Sequence, residues 1–215
     1  HRADLAYVLL EATRQKPLIE FLPNCEVQKI HSEGSGIFVE TSLGVKQGVG
    51  LIGADGIKST VRNEIFRNKE RARFTGNVAW RCLIPADRLG EVFREPATSV
   101  WWGPKKHFVH YPVRQGALIN CVCVAEKEAW TEESWTKPGD KKALNRAFSS
   151  WHPDIEELIQ EADEEELYEW GLFDRPAMSA WFKGRATLIG DACHPMLPFL
   201  AQGAAMAIED AFVLA

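Results

Sequence analysis

The sequence predicts an α/β fold interrupted by an antiparallel β insert, an α+β hybrid, and three observations predict it. Strand–turn–helix patterns stand near both ends of the chain, at 49–66 and 186–215. Between them, residues 78–125 give four successive strands with no helix among them, which marks antiparallel pairing. The composition is that of a folded globular chain: of 215 residues, 46% are hydrophobic and 26% charged, with a net charge of −5. That supplies a sizeable core and argues against disordered, collagen-like and low-complexity classes. The simplest assembly is one split domain carrying a second, with pieces at 1–72, 73–180 and 181–215.

Residues Asp4 to Gln15 place Leu5, Val8, Leu9 and Ala12 on one helical face, and Pro17 stands past the end. Val27 to His31 and Gly36 to Thr41 alternate as strands do, joined through Glu33-Gly34-Ser35-Gly36. Val49 to Ala54 is a short apolar run suited to a strand buried on both faces. Asp55-Gly56 turns the chain, and Ser59 caps a helix reaching about Phe66. Val78 to Ile84, Thr98 to Trp102, His107 to Val113 and Ala117 to Ala125 read as strands, with Arg114-Gln115-Gly116 as a hairpin turn. Residues 140–162 read as two short helices divided by His152-Pro153, and Leu167 to Leu172 as a further strand. Ala186 to Gly190 reads as a buried strand, Asp191 to Ala201 as a proline-punctuated turn and Gln202 to Ala215 as a helix.

The acidic balance leaves no basic stripe to neutralise phosphates, which argues against a nucleic-acid partner. No apolar run reaches the roughly 18 residues that span a bilayer, and His1-Arg2-Ala3-Asp4 carries no signal-peptide pattern. The expectation is a cytoplasmic protein with no membrane partner. The chain opens without Met inside a helical pattern, so it reads as a piece of something longer. Cys25 and Cys82 stand alone, Cys121 and Cys123 alternate within an apolar run, and Cys193 sits in a Gly/Asp/His/Pro stretch. That spacing gives no disulfide framework and no finger-like pairs, so buried thiols and no metal site are expected.

The strongest candidate for chemistry is the run Leu188-Ile189-Gly190-Asp191-Ala192-Cys193-His194-Pro195-Met196-Leu197-Pro198-Phe199-Leu200-Ala201-Gln202-Gly203-Ala204. It puts the Asp191 carboxylate at the carboxyl end of a buried strand, where α/β sheets bind ligands. A proline-stiffened loop then feeds a helix opening Gly203-Ala204-Ala205, small enough for a flat ligand to approach the backbone. Free N–H groups at that helix start stabilise negative charge. Any one of these residues is ordinary turn punctuation; the whole string is not. The stretch Gly53-Ala54-Asp55-Gly56-Ile57-Lys58-Ser59-Thr60-Val61-Arg62 is a weaker signal, because Asp-Gly after an apolar strand is a common turn. An arginine at a helix start, Arg2, is weaker still.

Together and in this order, the three stretches resemble the flavin-dependent aromatic-ring monooxygenases of the p-hydroxybenzoate hydroxylase fold, especially the salicylate and 3-hydroxybenzoate hydroxylase branch. That family's pattern is an Arg-containing helix start, an Asp-Gly stretch, and a Gly-Asp-Ala-x-His-Pro run leading to Gln-Gly and an Ile-Glu-Asp-Ala helix, here Ile208-Glu209-Asp210-Ala211. The match continues through Trp151-His152-Pro153, Leu172-Phe173-Asp174-Arg175 and Trp181-Phe182-Lys183-Gly184-Arg185, so it covers essentially the whole chain. The resemblance implies a partial FAD-binding Rossmann-like domain split around a substrate domain, with NADH or NADPH as electron donor. It implies that Arg2 contacts the phosphate or ribityl part of FAD and that Asp55 and Gly56 lie beside the dinucleotide, Asp55 also near the nicotinamide donor's path. It further implies that Asp191 hydrogen-bonds the ribityl chain, and that Pro198, Gln202, Gly203 and Ala204 border the isoalloxazine ring. The family opens with a β-α-β unit bearing Gly-x-Gly-x-x-Gly for the ADP half of FAD and closes with a tail. Neither is expected here, so the chain reads as a fragment that alone holds FAD poorly or not at all.

In His107-Phe108-Val109-His110-Tyr111-Pro112, strand alternation puts His107, Val109 and Tyr111 on one side and Phe108 and His110 on the other. A His and a Tyr on one pocket-facing surface suit the ionisation and orientation of a phenol, and related hydroxylases carry a His at the position matching His107. The same two residues also fit a sheet with satisfied polar tips. Arg81, Arg114 and Lys106 are candidates to meet a substrate carboxylate, though each reads first as an ordinary surface charge. Trp101 and Trp102 supply one indole to each face of their strand, and His194 shapes its turn. The implied activity is hydroxylation of a small aromatic acid of hydroxybenzoate or salicylate type by oxygen, through a flavin hydroperoxide. Two other readings stay open. A non-catalytic fragment without flavin would be colourless, and a same-fold epoxidase or reductase acting on a lipid or isoprenoid calls for a long apolar pocket.

Overall fold

The computed structural model describes residues 2–67, 72–130 and 137–215. In chain order the elements are α1 (Arg2–Arg14), β1 (Val27–Glu33), β2 (Gly36–Thr41), β3 (Gly44–Gly48), β4 (Leu51–Gly53), α2 (Thr60–Phe66), β5 (Arg73–Pro85) and β6 (Ser99–Gly103). They continue with β7 (Lys106–Val113), β8 (Leu118–Glu126), α3 (Lys141–Ala147), α4 (Pro153–Glu161), β9 (Tyr168–Asp174), β10 (Phe182–Lys183), β11 (Ala186–Leu188) and α5 (Gly203–Leu214). The chain divides into two compact units, His1–Ala6 with Phe74–Phe173, and Tyr7–Arg73 with Asp174–Ala215. The division falls at Phe74 and Asp174, and residues 2–6 go with the middle segment.

The unit containing Tyr7–Arg73 holds two small sheets. β1, β2 and β3 form an antiparallel meander in which Glu33 pairs with Gly36. Gly34 and Ser35 are thus left as a two-residue turn, and Gly34 adopts φ +57°, a conformation that costs glycine little. β3 escapes the sequence reading because all five of its residues are exposed and carry no apolar alternation. The second sheet has the order β10-β11-β4, with β11 and β4 parallel. The expected burial of the β4 strand on both faces does not hold: Ile52 is 55% exposed and only Gly53 is buried. Among the described residues β4 pairs along one edge alone.

The expected absence of a Gly-x-Gly-x-x-Gly spacing also needs correction. The spacing occurs as Gly48-Val49-Gly50-Leu51-Ile52-Gly53, but it runs from the end of β3 through β4 and opens no helix. A phosphate cradle needs the glycines at a strand-to-helix turn, so the spacing here lacks the required context. Gly53 serves packing instead, since a Cβ there would lie 2.8 Å from Val61 Cβ and 2.7 Å from Leu188 Cδ2. Ile30, Ile37, Val61, Ala186, Leu188, Ala192 and Cys193 form the core of this unit.

The other unit is built on a five-stranded sheet of order β6-β7-β8-β5-β9, antiparallel from β6 through β5. Between β7 and β8, Arg114, Gln115 and Gly116 all have positive φ, and the Gly116 N–H closes onto Val113 O, which is the hairpin turn expected there. One sheet face packs on α3 and α4. Trp80, Ile84, Phe108, Ile119, Cys121 and Cys123 there meet Leu144, Phe148, Ile155, Leu158 and Ile159. Asp140 caps α3, and His152 caps α4 immediately before Pro153, whose missing N–H is harmless in a first helical turn. All five cysteines are free; four are buried and Cys25 is half-buried. α1 forms where its apolar stripe predicts, yet buries none of its residues: Val8 is 61% exposed and Leu9 54%.

Candidate functional site

Asp191 follows β11 in a one-turn 3-10 segment, Gly190–Ala192, at the carboxyl end of a parallel strand. Its side chain is exposed and takes no hydrogen bond from the described residues. A Cβ built on Gly203, the first residue of α5, would lie 4.0 Å from Asp191 Oδ1 and meet nothing else. The carboxylate therefore stands beside the start of the twelve-residue α5, with open space over the glycine. Gln202 precedes α5 without a side-chain capping bond, so the first-turn N–H groups have no side-chain cap. Pro198 opens a 3-10 turn, and Ala201 at φ +51° redirects the chain into α5. Pro198, Gln202 and Ala204 are exposed and Gly203 is half-buried.

The turn and the helix are tied together from behind. Asp210 Oδ2 accepts from Gly190 N at 2.8 Å and from His194 Nε2 at 2.6 Å. Gly190 sits at φ +58°, and a Cβ there would come within 3.1 Å of Ala207 Cβ, so its bareness lets α5 approach the turn. The His194 ring lies 5.0 Å from that of Trp181. Possible ligand atoms of Cys193, His194 and Asp210 converge within 4.8 Å. Asp210 is already engaged twice, however, and burial pushes the Cys193 thiol up to about 11, away from the thiolate a metal needs.

Asp55 and Gly56 turn the chain between β4 and α2, with Gly56 at φ +76°. Asp55 Oδ1 accepts from Ser59 Oγ and Oδ2 from Val61 N at 3.0 Å, so both carboxylate oxygens are engaged at the start of α2. Arg62, 2% exposed, then bridges the two turns: Nη1 donates to Ala192 O at 2.7 Å and Nη2 to Ile57 O at 2.5 Å. Sequence reasoning gave Arg62 and Asp210 no role. Arg62 acts on backbone carbonyls alone, and Asp210 on one backbone N–H and the His194 ring.

The sheet unit holds the remaining candidates. Arg2 is exposed at the start of α1. On β7 the burial pattern alternates, Phe108 and His110 buried in the helix-covered face, His107, Val109 and Tyr111 half-buried on the other. Trp102 shares the second face, its ring 5.5 Å from that of His107, while Trp101 packs on the core side against His152 at 4.9 Å. Burial lowers the His107 pKa, which keeps its imidazole neutral and able to take a proton. Two of the three cations considered for a substrate carboxylate are occupied. Arg114 grips Asp4 through Nε at 3.0 Å and Nη2 at 2.7 Å. Lys106 donates to Ala147 O and lies over the Phe148 and Trp151 rings on the core side. Arg81 Nε donates to Asn120 Oδ1 at 3.0 Å.

No helix among the described residues is long and apolar enough to cross a membrane. The family model described as an FAD binding domain matches residues 2–215. The chain is 37% identical over 216 residues to the 3-amino-4-hydroxybenzoate 2-monooxygenase PtmB3 of Streptomyces platensis, covering 97% of this chain and 54% of that protein. It is 36% identical to the 3-hydroxybenzoate 6-hydroxylase 2 of Aquipseudomonas alcaligenes, covering all of this chain and 66% of that one. Among solved structures, a salicylate hydroxylase substrate complex aligns over 100% of this chain and 56% of its own at TM-score 0.84 and 26% identity. The chain thus spans between half and two thirds of the length of these relatives. With a turn-and-helix cluster suited to a flat anionic ligand and a family match running from residue 2 to residue 215, the chain belongs to the FAD binding domain family.

Proposed function

We propose that the protein is an FAD-dependent monooxygenase that hydroxylates a small aromatic acid, with NADH or NADPH as electron donor and dioxygen as co-substrate. The observation that carries this reading is the Asp191 carboxylate, which takes no hydrogen bond from the described residues, beside the uncapped and small-residue start of α5. FAD suits that pairing: its ribityl hydroxyls are donors for a carboxylate, and its electron-accepting ring develops negative charge that a helix N-terminus stabilises. When bound, FAD supplies hydride acceptance from the nicotinamide and activation of oxygen.

In this reading Asp191 holds the ribityl chain, and the Gly203 and Ala204 backbone, with Pro198 and Gln202, borders the ring. Arg2 contributes positive charge toward the phosphate or ribityl part. Asp55 and Gly56 act by shaping the turn beside the dinucleotide, since both Asp55 oxygens are engaged in the chain. His107, kept neutral by its surroundings, takes the proton of the substrate phenol, and the Tyr111 hydroxyl orients the ring. The substrate class is supported by the relatives, whose names specify hydroxybenzoates. Free thiols support a reducing, cytoplasmic setting.

The test compares wild type, Asp191→Ala and His107→Ala, with bound FAD read from the visible spectrum. Asp191→Ala is expected to weaken FAD binding. His107→Ala is expected to keep FAD reduction by the donor and to lower hydroxylated product formed per donor oxidised. Unchanged coupling in His107→Ala, or a full-length wild-type protein that stays colourless when supplied with FAD, overturns the reading.

A further inference from the structure

Arg81 stands out once the register of the sheet is followed. Arg81 on β5 pairs with Val122 on β8, and Val122 pairs with Val109 on β7. Residues in register share a face, so Arg81 lies on the face of His107 and Tyr111, in the row midway between them. Two interstrand spacings separate it from β7, about 10 Å. Asn120 occupies the next row, directly opposite Tyr111.

The local chemistry is one of unmatched donors. Arg81 Nε donates to Asn120 Oδ1, which fixes the guanidinium fork and uses the amide oxygen. Among the described residues the two Nη groups of Arg81 have no hydrogen-bond or ion-pair partner. Asn120 is 2% exposed, and its Nδ2 is buried with no acceptor. A buried donor without a partner is costly, which marks a place where an acceptor belongs. The cavity of about 140 Å³ beside Arg81, lined also by Cys82, Leu83, Glu166 and Tyr168, lies toward β9 and not toward β7, so it is not the path of a ring reaching His107 and Tyr111.

We propose that Arg81, positioned by Asn120, anchors the carboxylate of an aromatic acid whose ring extends across the sheet face toward His107 and Tyr111. The inference rests on the hydroxylase reading above and adds the group that selects the acid. The guanidinium fork matches a carboxylate through two parallel N–H···O bonds, which lysine cannot reproduce. One aromatic ring, added to the reach of the arginine side chain, spans the distance between the strands. Arg81 is a specificity-determining residue and Asn120 a positioning residue that acts through it.

The experiment uses the FAD-loaded full-length protein, calorimetric binding and two probes that share a ring, 3-hydroxybenzoate and its neutral carboxamide. In Arg81→Met the dissociation constant for the acid is expected to rise about 10- to 100-fold, with the carboxamide constant unchanged. Arg81→Lys is expected to recover part of the loss. Asn120→Leu is expected to weaken the acid to a lesser degree, again sparing the carboxamide. Thermal melts identify any variant that fails to fold; should Arg81→Met fail, Arg81→Lys carries the same comparison. If wild type binds the acid but the Arg81 variants lose acid and carboxamide alike, or lose neither, the assignment of Arg81 is overturned while the hydroxylase reading stands. If FAD-loaded wild type binds neither probe, both fall.

Discussion

Asp210 Oδ2 receives two donors, His194 Nε2 at 2.6 Å and Gly190 N at 2.8 Å, and so fastens the turn that carries Asp191 onto the helix whose start lies beside it. The carboxylate and the helix start of the proposed FAD site are held as one piece by a residue that need not touch FAD. Side chains locked in this manner keep a binding geometry within the narrow tolerance that recognition requires.

Removing that fastening is expected to act on stability and on FAD together. Asp210→Ala loses both hydrogen bonds and leaves two donors behind, a cost of about 1.5–3 kcal/mol. Chemical denaturation of the FAD-free protein reads the stability loss. The dissociation rate of FAD, followed by recovery of its fluorescence, is expected to rise in the same variant.

The same pair has a pH signature. Burial by itself raises the Asp210 carboxyl, but the Gly190 N–H and the His194 ring outweigh it and hold the group below its ordinary value. A carboxyl with a folded-state pKa below its unfolded value stabilises the fold above the ordinary carboxylate range. That contribution disappears as pH falls through the depressed folded value. The melting-temperature gap between wild type and Asp210→Asn is therefore expected to be widest near neutral pH and to close in acid.

Arg62 is expected to tolerate neither an apolar nor a lysine substitute. Its fork serves Ile57 O and Ala192 O, and Arg62→Met strands both carbonyls in a buried setting, at about 2–5 kcal/mol. A lysine ammonium, a compact point charge, does not span the two acceptors. The denaturant midpoint of Arg62→Lys is expected to fall closer to that of Arg62→Met than to wild type.

Gly53→Ala tests the close packing of β4, β11 and α2. The added methyl would enter the space of Val61 Cβ, an atom fixed to the helix backbone, as well as the tip of Leu188. Overpacking of this kind costs about 1–3 kcal/mol. A melting temperature equal to wild type would show that α2 moves aside freely.

The lettering of β7 made its two faces readable, because His107, Val109 and Tyr111 alternate with Phe108 and His110 and a half-buried strand repeats every two residues. The Asp191 cluster was readable for a different reason, the order of a carboxylate, prolines and small residues after an apolar strand. β3 was not, since a strand exposed on both faces carries no hydrophobic signal. α1 was readable as a helix but not as an unburied one, because periodicity reports a stripe and not what meets it. Arg62 was passed over because its partners are main-chain atoms, and Asp210 because one of its two partners is, the other being the His194 ring. Ala192 O lies 130 residues from Arg62 and Gly190 N 20 from Asp210, and nothing in a side-chain alphabet announces a peptide group brought close by folding.

Trp102 is 80% exposed with its ring 5.5 Å from His107. An indole in water emits far to the red, and a neighbouring imidazole that gains a proton dims it. The protein thus carries an optical gauge at this spot, read as the emission that Trp102→Phe removes: in that difference, acid titration should be visible as quenching, and a guest settling over the two rings as a shift to the blue.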